Sequence, residues 1–170
     1  MKHFLLGVLF ALLVLFLGGF AYLKLGFAEV RGDLPPSKWE KALMISAVQA
    51  SVRRHAPETP NPVPPTDETL IAGGKIYLNE CAGCHGTRGK PDTSSDTLYP
   101  PIPQFLQAGT TYSEAQIFWV AKHGVRFSGM FANGKWESDQ KLWTAAAYIK
   151  RVKSLPLRVE QELAKLQSPK

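Results

Sequence analysis

The N-terminal half of the sequence predicts helices, the first of them a transmembrane helix, and three observations carry this prediction. Residues 4–23 form an apolar run without a charged residue. Ser37 and Glu40 have the spacing of a helix capping box. Apolar and small residues at three-to-four spacing precede the only cysteine pair, and no strand pattern stands there. The 170 residues are enough for one domain and some additional chain.

The apolar run has the length of a membrane span. Twenty helical residues reach about 30 Å, the thickness of a bilayer hydrocarbon core. The mean hydropathy of the whole chain is −0.11, so no other segment is apolar enough to surround this run as a buried core helix. A cleaved secretory signal is the alternative, since a small-x-small pattern occurs at 19–21 and again at 26–28. Signal cores are usually about 7–15 residues long, so the length favours an uncleaved anchor.

The next part of the chain predicts a connector helix and a proline-rich linker. The capping pattern starts a helix over about 37–54. This helix could lie at the membrane surface with Trp39 at the interface, pack on the following domain, or serve as a plain connector. Residues 57–65 hold five prolines, which exclude a helix and favour an extended spacer of roughly 28 Å. We place the domain boundary in this spacer.

Cys81 and Cys84 are the only cysteines of the chain, and His85 follows directly. A redox dithiol would follow a strand of a βαβ unit, whereas the residues before Cys81 predict a helix. A zinc site needs a second pair of ligands, and no other cysteine exists. Haem attachment fits best, because each thiol can add to a porphyrin vinyl group while His85 is brought to the iron.

Met130 is the candidate for the second iron ligand. Met1 and Met44 lie before the cysteine motif, so Met130 is the only thioether after it. Glycines flank Met130 in a loop that can fold over the ring face. His123 is the competitor, but its place near the end of a helix and just before a glycine is typical of a capping residue. The sequence therefore predicts Met130 as the axial ligand opposite the motif histidine.

With these residues assembled, residues 66–155 resemble a class I c-type cytochrome with one haem ligated by His and Met. The letters CAGCHG match the haem-binding motif of that family. Gly73 and Tyr77 resemble the glycine–aromatic pair of the family's first helix. The stretch LWTAAAYIKRVKSLP at 142–156 is similar to the terminal helix that crosses there, and small residues permit the close crossing.

The resemblance implies a small all-α cytochrome c fold around one covalently bound haem c per chain. Helices that wrap the haem are expected at about 67–80, 112–123 and 138–153. In YPPIPQF at 99–105, a proline carbonyl is expected to accept the hydrogen bond of the proximal histidine, and we assign this role to Pro101. The predicted parts are an anchor (1–25), a connector helix and linker (26–65), the haem domain (66–155) and a C-terminal helical extension (156–170).

A haem held by His and Met has no open position for substrate, so the resemblance implies one-electron transfer and no enzyme activity. We expect a membrane-tethered carrier between respiratory complexes, since a tether keeps the haem near its partners. The alternatives are a fixed cytochrome subunit of a larger dehydrogenase or terminal oxidase, and a haem gas sensor with a weak sixth ligand. No small-molecule substrate is expected.

The distribution of charge and the haem motif indicate which partners and which side of the membrane to expect. The formal net charge of +6 is spread thinly, without a basic stripe interleaved with aromatics, which argues against nucleic acid. The positive-inside rule points to a cytoplasmic domain, because more basic residues follow the apolar run than precede it. The haem overrides this count: the resemblance implies the periplasmic side of the bacterial inner membrane, where c-type cytochromes are matured.

Overall fold

The computed structural model describes residues 1–92 and 97–167 and divides the chain into two compact units, Met1–Leu34 and Pro35–Lys170. The described residues form helices, turns and one isolated bridge, with no strand among them, and the predicted all-α class is confirmed. The helices are α1 (Lys2–Lys24), α2 (Lys38–His55), α3 (Asp67–Ile76), α4 (Ala82–His85), α5 (Phe105–Ala108), α6 (Glu114–His123), α7 (Asp139–Arg151) and α8 (Leu157–Gln167).

Most of the first unit is α1, which has 23 residues and buries none of them within the chain. By length and composition it can cross a membrane, as the apolar run predicted. It ends at Lys24, the first charged residue after the run. A secretory signal near the N-terminus shares these features, and the mass of the mature N-terminus separates the two.

The second unit begins before α2, so α2 belongs to the same compact unit as the residues that follow it. Its N-terminus is capped by Ser37, whose Oγ accepts a hydrogen bond from Glu40 N at 3.3 Å. Val52 near its C-terminal end is buried, and the ring of His55 stacks on Trp119 of α6 with centroids 5.9 Å apart. The C-terminal end of α2 therefore packs on the domain, which is one of the three arrangements considered for this helix.

The proline-rich stretch is fixed to the domain by side-chain contacts. Asn61 Nδ2 donates to Glu114 Oε2 at 2.5 Å and to Trp143 O at 3.1 Å, and Val63 is buried. Because these contacts join residues far apart in sequence, this stretch is not a boundary between compact units. The domain boundary that we placed in it is therefore not where the structure divides the chain.

The core of the second unit forms where α3 and α6 pack on α7. The closest approach is at Gly73, where an added Cβ would lie 2.5 Å from Thr144 O and 2.7 Å from Tyr148 Cβ. Only a glycine allows this crossing, as the resemblance implied. The buried apolar residues of α7 that face this core are Leu142, Trp143, Ala146, Ala147, Tyr148 and Ile149.

Hydrogen-bonded caps begin the core helices close to their predicted starts. Thr66 Oγ1 accepts from Thr69 N at 3.3 Å. Ser113 begins α6 with a complete capping box that includes Gln116. Ser138 Oγ accepts from Lys141 N at 3.3 Å. Each cap satisfies a backbone donor of the first helical turn and so defines where the helix begins.

The C-terminal extension is part of this core. α8 begins directly after Pro156, whose carbonyl accepts from Glu160 N at 3.1 Å. Val159 and Leu163, four residues apart, are buried, and Leu163 lies where a side chain on Gly74 of α3 would otherwise stand. The predicted helical extension therefore packs on α3.

Candidate functional site

The cysteines and the histidine of the motif lie on one helical path that continues α3. Tyr77–Cys81 form a π-helical turn and α4 adds one more turn; such π-helical turns are frequent at functional sites. The path ends at Gly86, which has φ +74 and whose Cβ position would lie 2.5 Å from Gln104 Oε1. The left-handed conformation therefore favours glycine there, and a side chain would displace the Gln104 amide. We name residues 77–86 the motif segment.

The two thiols are free, with Cys84 exposed and Cys81 partly buried. Burial, reinforced by the Glu80 carboxylate, raises the pKa of Cys81 to about 11. A redox dithiol needs instead a thiolate of lowered pKa. Among the described residues no group of three or more His, Cys, Asp or Glu side chains is arranged to hold a metal ion, whereas structural zinc takes four such ligands. The donor set therefore fits neither a redox dithiol nor zinc.

His85 is buried, and residues 102–108, which we name the strap, hold its ring at two points. Nδ1 lies 2.8 Å from Pro103 O, which makes it the donor in the neutral ring. The Phe105 ring stacks on the imidazole with centroids 4.7 Å apart and planes 18° apart. Burial lowers the pKa of His85 and outweighs the Pro103 bond, which raises it. The neutral imidazole then keeps its Nε2 lone pair for a metal.

The carbonyl bonded to His85 belongs to Pro103, so our assignment of this role to Pro101 is wrong. Pro101 lies two residues earlier in the chain. Pro103 directly precedes Gln104 and Phe105, whose side chains contact Cys84 O and the imidazole. These contacts bring the Pro103 carbonyl, rather than an earlier one, to Nδ1.

Two further contacts fix the motif segment and were not predicted from the sequence. Tyr77 is fully buried, and its hydroxyl donates to the carbonyls of His85 and the next residue, each at 2.9 Å. Lys141 of α7 bridges Glu80 at 2.5 Å and Glu137 at 2.7 Å. The four-residue spacing of Glu137 and Lys141 is a sequence signal for part of this network, whereas nothing in the sequence indicates the partner of the Tyr77 hydroxyl.

Met130 lies in residues 124–136, which we name the distal loop. Val125 N donates to Met130 O at 2.9 Å, and Met130 N donates to Ser128 Oγ at 3.1 Å. Gly124 has φ +67, and its Cβ position would lie 2.5 Å from Met130 O, so a glycine is needed for the loop to fold back on α6. The aromatic side chains that the loop exposes are Phe127, Phe131 and Trp136.

His123, the competing ligand, is the last residue of α6 and is exposed. Its ring is tilted against Trp119 with centroids 5.2 Å apart, and Trp119 in turn stacks with His55 of α2. A histidine at a helix C-terminus, when protonated, interacts favourably with the negative end of the helix dipole. These contacts give His123 a structural role next to α2.

Residues 68–149 match the family model described as Cytochrome C oxidase, cbb3-type, subunit III. They form a c-type cytochrome domain. Among solved structures, a chain of the reducing HAO-like protein complex of Kuenenia stuttgartiensis is similar at 25% identity with a TM-score of 0.44. That alignment covers 56% of this chain and 50% of the other, so this chain spans about half the length of that protein. No curated protein matches.

The c-type cytochrome domain carries covalently bound haem c, and the single cysteine motif provides for one per chain. The residues present fit this group, because both thiols are free and the Pro103 bond leaves Nε2 of His85 available. Cys81 and Cys84 would hold the porphyrin through thioether bonds, and His85 would bind the iron. Bound haem supplies reversible one-electron transfer. The domain is therefore an electron carrier and is not itself a catalyst.

Proposed function

We propose that the protein is a membrane-tethered one-electron carrier of a respiratory chain, with His85 and Met130 as the iron ligands. The observation that carries the proposal is the union in one chain of a c-type cytochrome domain and α1, an apolar helix of 23 residues. A tether keeps the haem at high effective concentration near its redox partners. A methionine ligand raises the reduction potential above that of a bis-histidine haem and leaves no open position for substrate.

The ligand assignment is tested with Met130→Ala, Met130→His and His123→Ala. Met130→Ala should keep covalent haem, lower the reduction potential and let the reduced protein bind carbon monoxide, because the thioether is lost while both cysteines remain. Met130→His should stay six-coordinate with a lowered potential. His123→Ala should cost about 1 kcal/mol or less of stability, the magnitude of a charge at a helix end, and leave the haem spectrum unchanged.

The measurement is a redox titration with optical spectra of the wild type and the three variants. If His123→Ala rather than Met130→Ala opens the sixth position, the ligand is His123 and the protein is a low-potential bis-histidine cytochrome. Tight binding of carbon monoxide by the reduced wild-type protein would instead favour a gas sensor over a carrier.

We place the haem domain on the periplasmic side of a bacterial inner membrane, because covalent attachment of haem c to such a motif takes place there. The mass of the mature N-terminus tests the tether: an intact Met1 supports an anchor, whereas a start at Tyr22 or Glu29 would leave a soluble carrier. Protease added to intact spheroplasts should digest the haem domain. Protection of that domain would contradict the periplasmic location.

A second candidate is a fixed subunit of a terminal oxidase, which the description of the matching family favours. Mild detergent extraction of the membranes separates the two candidates. A carrier should migrate by itself at the size of one or two chains, and its haem should be reduced and oxidised by more than one complex. A fixed subunit should remain in constant stoichiometry with catalytic subunits through successive purification steps.

A further inference from the structure

We infer that Gln104 is a positioning residue that holds the strap against the motif segment and thereby sets the reduction potential through the His85–Pro103 hydrogen bond. This inference rests on the proposed ligation of iron by His85. It concerns the side chain between Pro103 and Phe105, the two residues of the strap that contact the imidazole.

The amide of Gln104 joins three stretches of backbone. Its Nε2 donates to Cys84 O at 3.2 Å, and it lies 3.4 Å from Ile102 O within the strap. Its Oε1 accepts from Asp92 N at 2.9 Å. One side chain therefore ties the strap both to the motif segment and to the chain that follows it.

The position of this amide is set by the backbone on both sides. A side chain at Gly86 would collide with Gln104 Oε1, so the glycine leaves the space that the amide fills. The backbone carbonyl of Gln104 accepts from Ala108 N at 2.9 Å and begins α5, whose first residue is Phe105. Movement of Gln104 would displace the Pro103 carbonyl on one side and the Phe105 ring on the other.

The chemical consequence concerns the electron donation of His85. A carbonyl that accepts the Nδ1 proton makes the imidazole a stronger donor, and hydrogen bonds of this kind tune the potential of the metal. A stronger donor favours ferric iron, which lowers the potential. Loosening the strap should weaken the bond to Pro103 O and raise the potential.

The test compares Gln104→Met with Gln107→Met in the full haem-loaded chain. Both replacements keep side-chain length without adding charge. Gln107 lies in the same strap, and its Nε2 donates at 2.8 Å to the carbonyl of Thr87, the residue directly after the motif segment. The readouts are the midpoint potential, the optical spectrum, and the rate of solvent exchange of the His85 Nδ1 proton in the reduced protein, measured by nuclear magnetic resonance.

We expect Gln104→Met to raise the potential and speed Nδ1 proton exchange while the six-coordinate spectrum remains, and Gln107→Met to change neither quantity. Unchanged potential and exchange in Gln104→Met, or equal changes in both variants, would overturn the inference. If Gln104→Met does not attach haem, Gln104→Glu replaces it, because it keeps the acceptor for Asp92 N and loses the donor to Cys84 O. Its proton exchange must then be faster than that of the wild type. A wild-type spectrum without a histidine ligand would contradict the proposed function instead.

Discussion

His85 and Met130, the two residues that we propose as iron ligands, are carried by parts of the chain that are held in different ways. Around His85 the contacts join distant residues: Pro103 lies 18 residues away, and Lys141 of α7 binds Glu80 of the motif segment. Around Met130 the hydrogen bonds join near neighbours in the distal loop, such as Ser128. His85 is thus held by contacts with the core, whereas Met130 lies on a loop that is held by hydrogen bonds between near neighbours.

This difference implies that substitutions near the two residues affect different properties, stability near His85 and ligation near Met130. Contacts between distant residues are lost together when the domain unfolds, so a substitution that removes one of them lowers the stability of the whole domain. A loop held by local contacts can change while the core stays folded. We therefore expect substitutions beneath the motif segment to change the free energy of unfolding, and substitutions in the distal loop to change ligation with little effect on stability.

The largest effect should come from Gly73→Ala at the crossing of α3 and α7. The added methyl group would lie 2.5 Å from Thr144 O, a backbone atom that cannot move without displacing α7. Overpacking of this kind costs typically about 1–3 kcal/mol, and contact with backbone places the expected loss at about 3 kcal/mol. Chemical denaturation followed by haem absorbance measures it.

Gly83→Ala is the matched control, because Gly83 lies in the motif segment and nothing stands within 4 Å of its Cβ position. Alanine in a helix is favoured over glycine by up to about 1 kcal/mol, so this variant should be as stable as the wild type or more so. Equal losses of stability in both variants would mean that the close crossing of α3 and α7 is not what stabilises the motif segment.

Tyr77→Phe should have an intermediate effect. It removes the hydroxyl that donates to His85 O and leaves a buried carbonyl without this donor, at a cost of about 1–2 kcal/mol. Burial raises the pKa of Tyr77 above its ordinary value near 10, so this stabilisation is present below pH 10 and is lost as the pH rises further. Unfolding measured from pH 7 to 11 should show less loss at high pH in Tyr77→Phe.

Tyr112→Phe serves as the control for Tyr77→Phe, because Tyr112 is partly buried and makes its hydrogen bonds through its backbone. Its free energy of unfolding should remain within about 0.5 kcal/mol of the wild type. If Tyr77→Phe loses no more free energy of unfolding than Tyr112→Phe, the Tyr77 hydroxyl does not help to hold His85.

The sequence was sufficient for features that depend on local spacing and insufficient for those that depend on the path of the chain. Helix starts at Ser37 and Thr66 follow from side chains that cap the next turn. Pro103 could not be chosen over Pro101, because prolines at alternate positions are equivalent until the strap meets the imidazole. The role of Asn61 was equally hidden, since its partners lie 53 and 82 residues away.

The packing of α8 is a different case, because a signal for it was present. Val159 and Leu163 have the four-residue spacing of one helix face, and both are buried in the structure. The sequence did not indicate which surface these two residues pack against. That surface includes Gly74, which reads in the sequence only as a second small residue beside Gly73.

The smallest effect on the two ligand regions, a slight gain in stability, is expected from Phe127→Gly in the distal loop. Phe127 has φ +58, a left-handed conformation that costs a residue with a Cβ about 1 kcal/mol, and its side chain is 97% exposed. Glycine removes this cost but loses more conformational entropy on folding, about 0.5–1 kcal/mol, so the net gain should be about 0.5 kcal/mol or less. Phe127→Ala keeps the cost and should leave stability unchanged. Denaturation of both variants beside the wild type tests this, and a loss above about 1 kcal/mol in Phe127→Ala would mean that the ring is packed in the functional protein. The distal loop would then share the long-range contacts of the His85 side, and the contrast between the two ligands would fail.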